Sequence, residues 1–271
     1  MTQPMTLTSR QHAEFRRRGV LRLEGLLPVD AVRRAREAVL RQLERLGFWR
    51  DGAWRLDAAS RPRFPDKGFK ARQIGNKHRE VEALLETPAL LAVVDALLDG
   101  RPFDRAIHKR PQVLVTLPNA DAWSVPTGWH VDAARLPSGE SPGVQLFGFL
   151  DTVAPRGGGT LVVAGSHRLL NDGHARSTSE IRRCLQREPV FRDLYAEGPD
   201  AAAARTRRLG ETGVAGDVEL QVVELTGAPG DAWLVDLRTL HAVAPNAAAR
   251  PRMMVTHRFV RADLTAAMAK T

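Results

Sequence analysis

The stretch GAPGDAWLVDLRTLHAVAPNAAARPRMMVTHRFV, residues 227–260, decides the fold. Two short runs rich in apolar residues, AWLVD (232–236) and RMMVTHRFV (252–260), flank the turn-rich APNAAARP (244–251). Short runs of this kind bounded by Gly, Pro, Asn or Asp are strand signals. Working outward, the same texture recurs in QVLVTL (112–117), GVQLFGFLD (143–151), TLVVAG (160–165) and VELQVVEL (218–225). Many short strands without alternating helices predict an antiparallel barrel or jelly roll, not a doubly wound parallel sheet.

Ahead of the strands the pattern is helical. Ser9 to Arg18 predicts a short helix, and GVLRLEG after it a strand. Asp30 is placed to cap a second helix, in which Val32, Ala35, Val39, Leu40 and Leu43 recur at helical spacing. REVEALLETPALLAVVDALLDG predicts a further helical stretch that Pro88 breaks or restarts and Gly100 ends. A polar helical segment interrupts the strands between 169 and 215. The expectation is therefore one domain over 1–271, mainly β with flanking helices. Residues 1–101 form a helical flank, 102–168 and 216–261 the β core, and 169–215 an insertion placed to act as a lid.

Composition narrows the function classes. No run of about 18 apolar residues exists, and the first residues lack the apolar stretch of a signal peptide, so a cytoplasmic protein is expected. The single cysteine, Cys184, excludes an internal disulfide and a thiolate metal cluster. The net charge of +9 would suit nucleic acid or an acidic small molecule. Its arginines are scattered and not interleaved with aromatics, which favours solvated helix faces over a nucleic-acid surface.

Chemistry enters with TGWHVDAARLP (127–137), where His130 and Asp132 stand two residues apart. At a strand end such residues point to one face, and imidazole with carboxylate is two thirds of a facial triad for non-haem Fe(II). Eight histidines among 31 acidic residues produce about one such spacing by chance, so the pair alone is weak. His12 and Glu14 are a second case, on a helix where i and i+2 do not share a face.

A third ligand must come from elsewhere. His78 and His108 precede the β core, His167 in AGSHR suits a turn, His174 lies in the insertion, and His257 is one residue off the face of Arg252, Met254 and Thr256. His241, just after the strand at 232–236, stands where a rim ligand belongs. Arg252, eleven residues on, could hold the far carboxylate of a dicarboxylic cosubstrate by paired hydrogen bonds, or lie on the surface as most arginines do. On QVLVTL, Gln112, Leu114 and Thr116 share one face, which either turns Gln112 and Thr116 towards the site or leaves them outward. Trp129 could wall the pocket or join the core. RGGGT from Arg156 precedes a strand and lacks the Gly-Lys ending of a phosphate loop.

Together these segments resemble the phytanoyl-CoA dioxygenase family over nearly the whole chain. The resemblance rests on EFRRRGVLRLEGLLPVDAVRRAREAV, VEALLETPALLAVVDALLDG, GWHVD, GGGTLVVAGSHR and GAPGDAWLVDLRTLHAVAPNAAARPR. It implies a double-stranded β-helix of the jelly-roll, cupin-like type. It also implies an Fe(II)- and 2-oxoglutarate-dependent oxygenase with O2 as cosubstrate, in which His130, Asp132 and His241 bind iron and Arg252 the 2-oxoglutarate. Many relatives carry serine two residues after the distal histidine, where this chain has Val243. Asp132 is kept, which points to hydroxylation and not halogenation. The substrate expected is a small molecule of specialised metabolism, acidic or carrier-tethered if the insertion's Arg182, Arg183, Arg205, Arg207 and Arg208 face it. Desaturation, cyclisation or epoxidation on the same cofactors, a barrel that only binds a ligand, and a nucleic-acid-binding protein are the alternatives. Oligomeric state has no signature in the sequence.

Overall fold

The strand texture is realised as two facing β-sheets with helices on both outer sides. The structure, a computed structural model, describes residues 6–56, 78–104, 111–118, 123–133, 139–174, 176–198 and 200–268. His108 lies outside the described residues.

In the larger sheet, β1 (Val20–Leu23), β10 (Ala232–Asp236), β6 (Gly143–Phe149), β12 (Arg252–Arg261) and β4 (Phe103–Asp104) are neighbours in that order, and β5 (Gln112–Thr116) also pairs with β12. The smaller sheet runs β11 (His241–Ala242), β7 (Leu161–Ala164), β9 (Val218–Glu224), β8 (Thr212–Ala215). Every ladder named is antiparallel. This is the expected jelly roll.

Strand alternation distributes the side chains. On β12, Met253, Val255 and Phe259 turn outward into a cluster with Val32, Val39, Leu43, Leu84 and Leu90. Those partners come from α2 (Val29–Arg45), a 3-10 turn at Ala83–Glu86 and α4 (Pro88–Leu97), with α1 (Ser9–Arg18) and α3 (Arg79–Glu82) beside them. Met254 turns inward, against Phe147, Phe149, Val162 and Leu225 between the sheets. The inward face of β12 is therefore that of Arg252, Met254, Thr256 and Arg258.

The insertion supplies α5 (Thr178–Leu185), α6 (Pro189–Leu194) and α7 (Ala201–Arg207). Ile181, Leu185, Phe191 and Leu194 cover the outer face of the smaller sheet at Leu161, Val163, Leu220 and Val222. Trp129 and Val131, which bracket His130, are buried in the same cluster, so Trp129 takes the core role. The insertion thus backs the His130 segment with packed side chains.

Three local expectations need correction. Pro28, not Asp30, occupies the cap of α2, with no side-chain cap bond. The helix starts two residues early because Pro28 holds an extended conformation, and Asp30 instead places its charge in the first turn, which the helix dipole favours. The insertion's last residues, Thr212–Ala215, form β8, joined to β9 by a two-residue hairpin through Gly216 and Asp217. A hairpin of β2 (Trp49–Arg50) and β3 (Ala53–Trp54) also stands in the helical flank. Its turn is Asp51-Gly52, both at positive φ, a combination hairpins favour. The edge-to-face pair of Trp49 and Trp54, centroids 5.1 Å apart, locks it.

Candidate active site

His130 and His241, 111 residues apart in sequence, are joined by backbone. His130 N–H donates to the His241 carbonyl and His241 N–H to the His130 carbonyl, both at 2.9 Å. This isolated antiparallel bridge brings the two imidazoles to a centroid distance of 4.2 Å. Asp132, two residues on, reaches the same point, its Oδ2 being 3.8 Å from His241 Nε2. One ligand atom from each of the three residues lies within 4.8 Å of the others. Two nitrogens and one carboxylate oxygen on three sides of a point are the donor set of a facial triad.

The rings are held for that role. His241 Nδ1 lies 3.0 Å from the Thr239 carbonyl, and His130 Nδ1 3.2 Å from that of Gly128. A carbonyl can only accept, so Nδ1 carries the proton and Nε2 keeps a lone pair with which it could hold a metal. Burial pushes the His241 imidazole below its ordinary value, against the pull of Asp132, which keeps the ring in the neutral form a metal requires.

Arg252 is buried at the start of β12, 4% exposed. Its Nη1 donates to the Gly158 carbonyl and its Nη2 to Thr116 Oγ1, the latter at 2.6 Å. Its Nε has no partner among the described residues. Burial lowers its pKa to about 10, with Glu224 opposing, so the charge persists at neutral pH. A buried cation with an orphaned donor is costly unless an anion completes it. The unused edge, Nε with the adjacent terminal N–H, has the side-on geometry that holds a carboxylate at two points. The residues present fit 2-oxoglutarate.

Asn246, fully buried, fixes the register of this corner. Its Nδ2 donates to the carbonyls of Thr116 and Arg250, and its Oδ1 accepts from Ala248 N–H. Gly158, at positive φ, lies against Asn246, and Gly159 beside it lets the chain approach Leu225, since a Cβ at Gly159 would lie 2.4 Å from the Leu225 carbonyl oxygen. Thr116 faces Arg252, and Gln112 faces Thr256, in the β5–β12 register, so both share the inward face of β12.

The other described histidines stand apart. His167 sits in a 3-10 turn with Nε2 3.1 Å from the Arg16 carbonyl, a turn role as expected. His12 Nε2 lies 2.8 Å from the Ala96 carbonyl, tying α1 to α4. His174 is exposed, and His257 stacks edge-on against Phe259.

Several insertion arginines are occupied by partners in and beside the insertion. Arg205 donates to the carbonyls of Val125 and Ala196, and Arg208 to Asp193 and Glu211. Arg182 meets Glu197 at 3.4 Å and lies over the Tyr195 ring. Sequence reasoning missed a nearer cation. Arg258 Nε donates to Asp132 Oδ2 at 2.7 Å. Its signal was present, because Arg252 and Arg258 have the same parity on one strand.

A double-stranded β-helix with two histidines and an aspartate at one point, and a buried arginine on the last strand, defines a class of metal-dependent oxygenase sites. The sequence matches the family described as Phytanoyl-CoA dioxygenase (PhyH) over residues 15–254, and the chain belongs to that family. Comparison with curated protein sequences gives no match.

Among solved structures, the carbocyclase SnoK from nogalamycin biosynthesis, described as non-haem and α-ketoglutarate-dependent, has a TM-score of 0.59 at 20% identity, covering 96% of this chain and 88% of its own. AviO1 from Streptomyces viridochromogenes Tue57 has a TM-score of 0.58 at 22% identity, covering 94% of this chain and 96% of its own. The epimerase SnoN, in complex with Fe3+, α-ketoglutarate and nogalamycin RO, has a TM-score of 0.56 at 19% identity, covering 93% and 83%. These likenesses show the fold. Among the described residues, no helix is long and apolar enough to cross a membrane.

Proposed function

We propose that the protein is an Fe(II)- and 2-oxoglutarate-dependent oxygenase that hydroxylates a small organic molecule. The observation that carries this reading is the convergence of His130, Asp132 and His241 within 4.8 Å, with the buried, partly unsatisfied Arg252 on the next strand of the chain, β12, in the facing sheet. In this reading His130 Nε2, an Asp132 carboxylate oxygen and His241 Nε2 hold the metal, and Arg252 with Thr116 holds the far carboxylate of 2-oxoglutarate. Gln112 lines the same face. Bound iron and 2-oxoglutarate supply oxidation of a C–H bond by O2, coupled to conversion of 2-oxoglutarate to succinate and CO2.

The chain's own residues do the rest. The backbone bridge fixes the spacing of the two imidazoles, and the carbonyls of Gly128 and Thr239 fix their tautomers. Phe147, Phe149, Met254 and Leu225 give the inter-sheet space a dry wall, which strengthens each charge interaction within it. In this reading 1–271 is one catalytic unit, with 169–215 backing the site from the outer face of the smaller sheet in place of the lid the sequence suggested. SnoK is an α-ketoglutarate-dependent carbocyclase, and SnoN an epimerase seen in complex with the same cosubstrate. Cyclisation and epimerisation are the second reading here, because one site of this kind serves whichever bond the substrate presents.

The test needs no substrate. Fe(II) and 2-oxoglutarate are added without oxygen to the metal-free protein, and the weak visible charge-transfer band of a chelated keto acid is sought. A band in the wild type, lost or much weakened in His130→Ala and Arg252→Ala, is the expected result. A folded wild type without the band would refute the reading.

A further inference from the structure

Arg258 stands six residues after Arg252 on β12, with its side chain on the same inward face. Its Nε donation to Asp132 Oδ2 is its only hydrogen bond among the described residues. That leaves the four N–H groups on its two terminal nitrogens unpartnered. The side chain is 34% exposed, whereas Asp132 is 10% exposed. Arg258 therefore reaches from open space to a ligand atom of the metal site.

The charge at this point changes when a metal arrives. In the metal-free protein the Asp132 carboxylate is the counter-charge of Arg258. A dication held by His130, Asp132 and His241 takes that carboxylate for itself. Arg258, 34% exposed, is then a cation beside the metal site whose charge Asp132 no longer balances, although its Nε still reaches that carboxylate. A planar fork in that position recognises an oxyanion by paired charge-assisted hydrogen bonds. Arg205 and Arg208 are already committed to partners in and beside the insertion and do not compete for the role.

We propose that Arg258 selects an anionic substrate, taking its carboxylate or phosphate group on the terminal nitrogens while Nε steadies Asp132. The substrate's neighbouring C–H bonds are thereby placed beside the metal. This inference rests on the iron-site reading above and names the substrate class for it.

Two substitutions separate the two halves of the side chain. In Arg258→Gln, the amide nitrogen falls where arginine has Nε, so the bond to Asp132 is kept and the terminal fork is deleted. In Arg258→Lys the outer charge is kept and the Nε donor is lost. The anaerobic complex of each protein with Fe(II) and 2-oxoglutarate is titrated with sodium acetate or inorganic phosphate, at ionic strength held constant with sodium chloride. The readout is the charge-transfer band.

The wild-type band is expected to shift saturably, and the more effective anion identifies carboxylate or phosphate as the group recognised. Arg258→Gln is expected to form the band and to need about tenfold more anion or worse, from loss of a charge-assisted fork. Arg258→Lys is expected to keep a saturable anion response, weakened by loss of the paired donors but stronger than that of Arg258→Gln, while binding Fe(II) more weakly. An unchanged response in Arg258→Gln, or a wild-type band that neither anion moves, overturns the inference and leaves the metal reading standing. If Arg258→Gln loses the band itself, Arg258→Lys decides: a response kept there supports the inference, and a response lost with the band intact overturns it. A wild type without any band removes the metal reading and this inference together.

Discussion

Replacing Arg252 by lysine tests the cosubstrate pocket most sharply, because the charge is retained and only the fork is removed. The free edge of Arg252 offers a carboxylate two parallel donors, Nε and a terminal N–H, the remaining terminal bonds going to Gly158 and Thr116. An ammonium can supply one donor there. The loss is about one charge-assisted hydrogen bond, roughly 1.5–3 kcal/mol. At about 1.4 kcal/mol per decade, that weakens 2-oxoglutarate binding roughly 10- to 150-fold. Folding suffers less. Lysine leaves one of the two buried acceptors without its donor, a cost of about 1–2 kcal/mol, against a typical stability of about 5–15 kcal/mol. The assay is anaerobic titration of the Fe(II)-loaded protein with 2-oxoglutarate, beside a thermal melt of the same sample. A folded Arg252→Lys protein that binds 2-oxoglutarate within about threefold of the wild type would refute the side-on fork.

Three further outcomes are expected. His241 is depressed below its ordinary value of 6.5 by burial, so the unfolded chain takes up that proton more readily than the folded one. Its contribution to the stability of the metal-free protein is complete above 6.5 and lost as pH falls from there towards the depressed folded value. Denaturant melts across that range should show stability falling with acid, less steeply in His241→Gln; equal slopes would contradict the assignment. Gly159→Ala should destabilise by about 1–3 kcal/mol through overpacking against the Leu225 carbonyl, and an unchanged melting midpoint would show that the two segments part easily. Thr116→Val removes the acceptor of Arg252 Nη2 at nearly constant volume. It should cost about 1–3 kcal/mol by leaving a buried donor unmet, measured by denaturant melts, and no loss would mean that Nη2 finds another acceptor.

The jelly roll was legible because each core strand carries its own local signal. Apolar runs bounded by turn residues mark β5, β6, β7, β9, β10 and β12 within a residue or two of their observed ends. The order of His130, Asp132, His241 and Arg252 was legible as well, since the spacing within each strand and across one connection is a property of the chain alone. The Asp51-Gly52 hairpin was also written locally, although β2 and β3 are too short to stand out from the helical flank by composition.

What the sequence could not decide was which polar residues meet. His130 joins His241 only through a backbone bridge closed across 111 residues, which no local pattern encodes. The inward direction of Gln112 and Thr116 depended on the β5–β12 register, because a slip of one residue reverses every side chain on a strand. The insertion arginines looked alike in sequence. Tertiary contacts commit Arg205 and Arg208 to carbonyls and carboxylates and place Arg258, unremarkable in the chain, against Asp132. Local sequence thus determined the strands and the order along the chain of the residues proposed to hold the metal. Only long-range pairing decided which charges share one small volume, since long-range pairing alone sets the distance between charges and their separation from water.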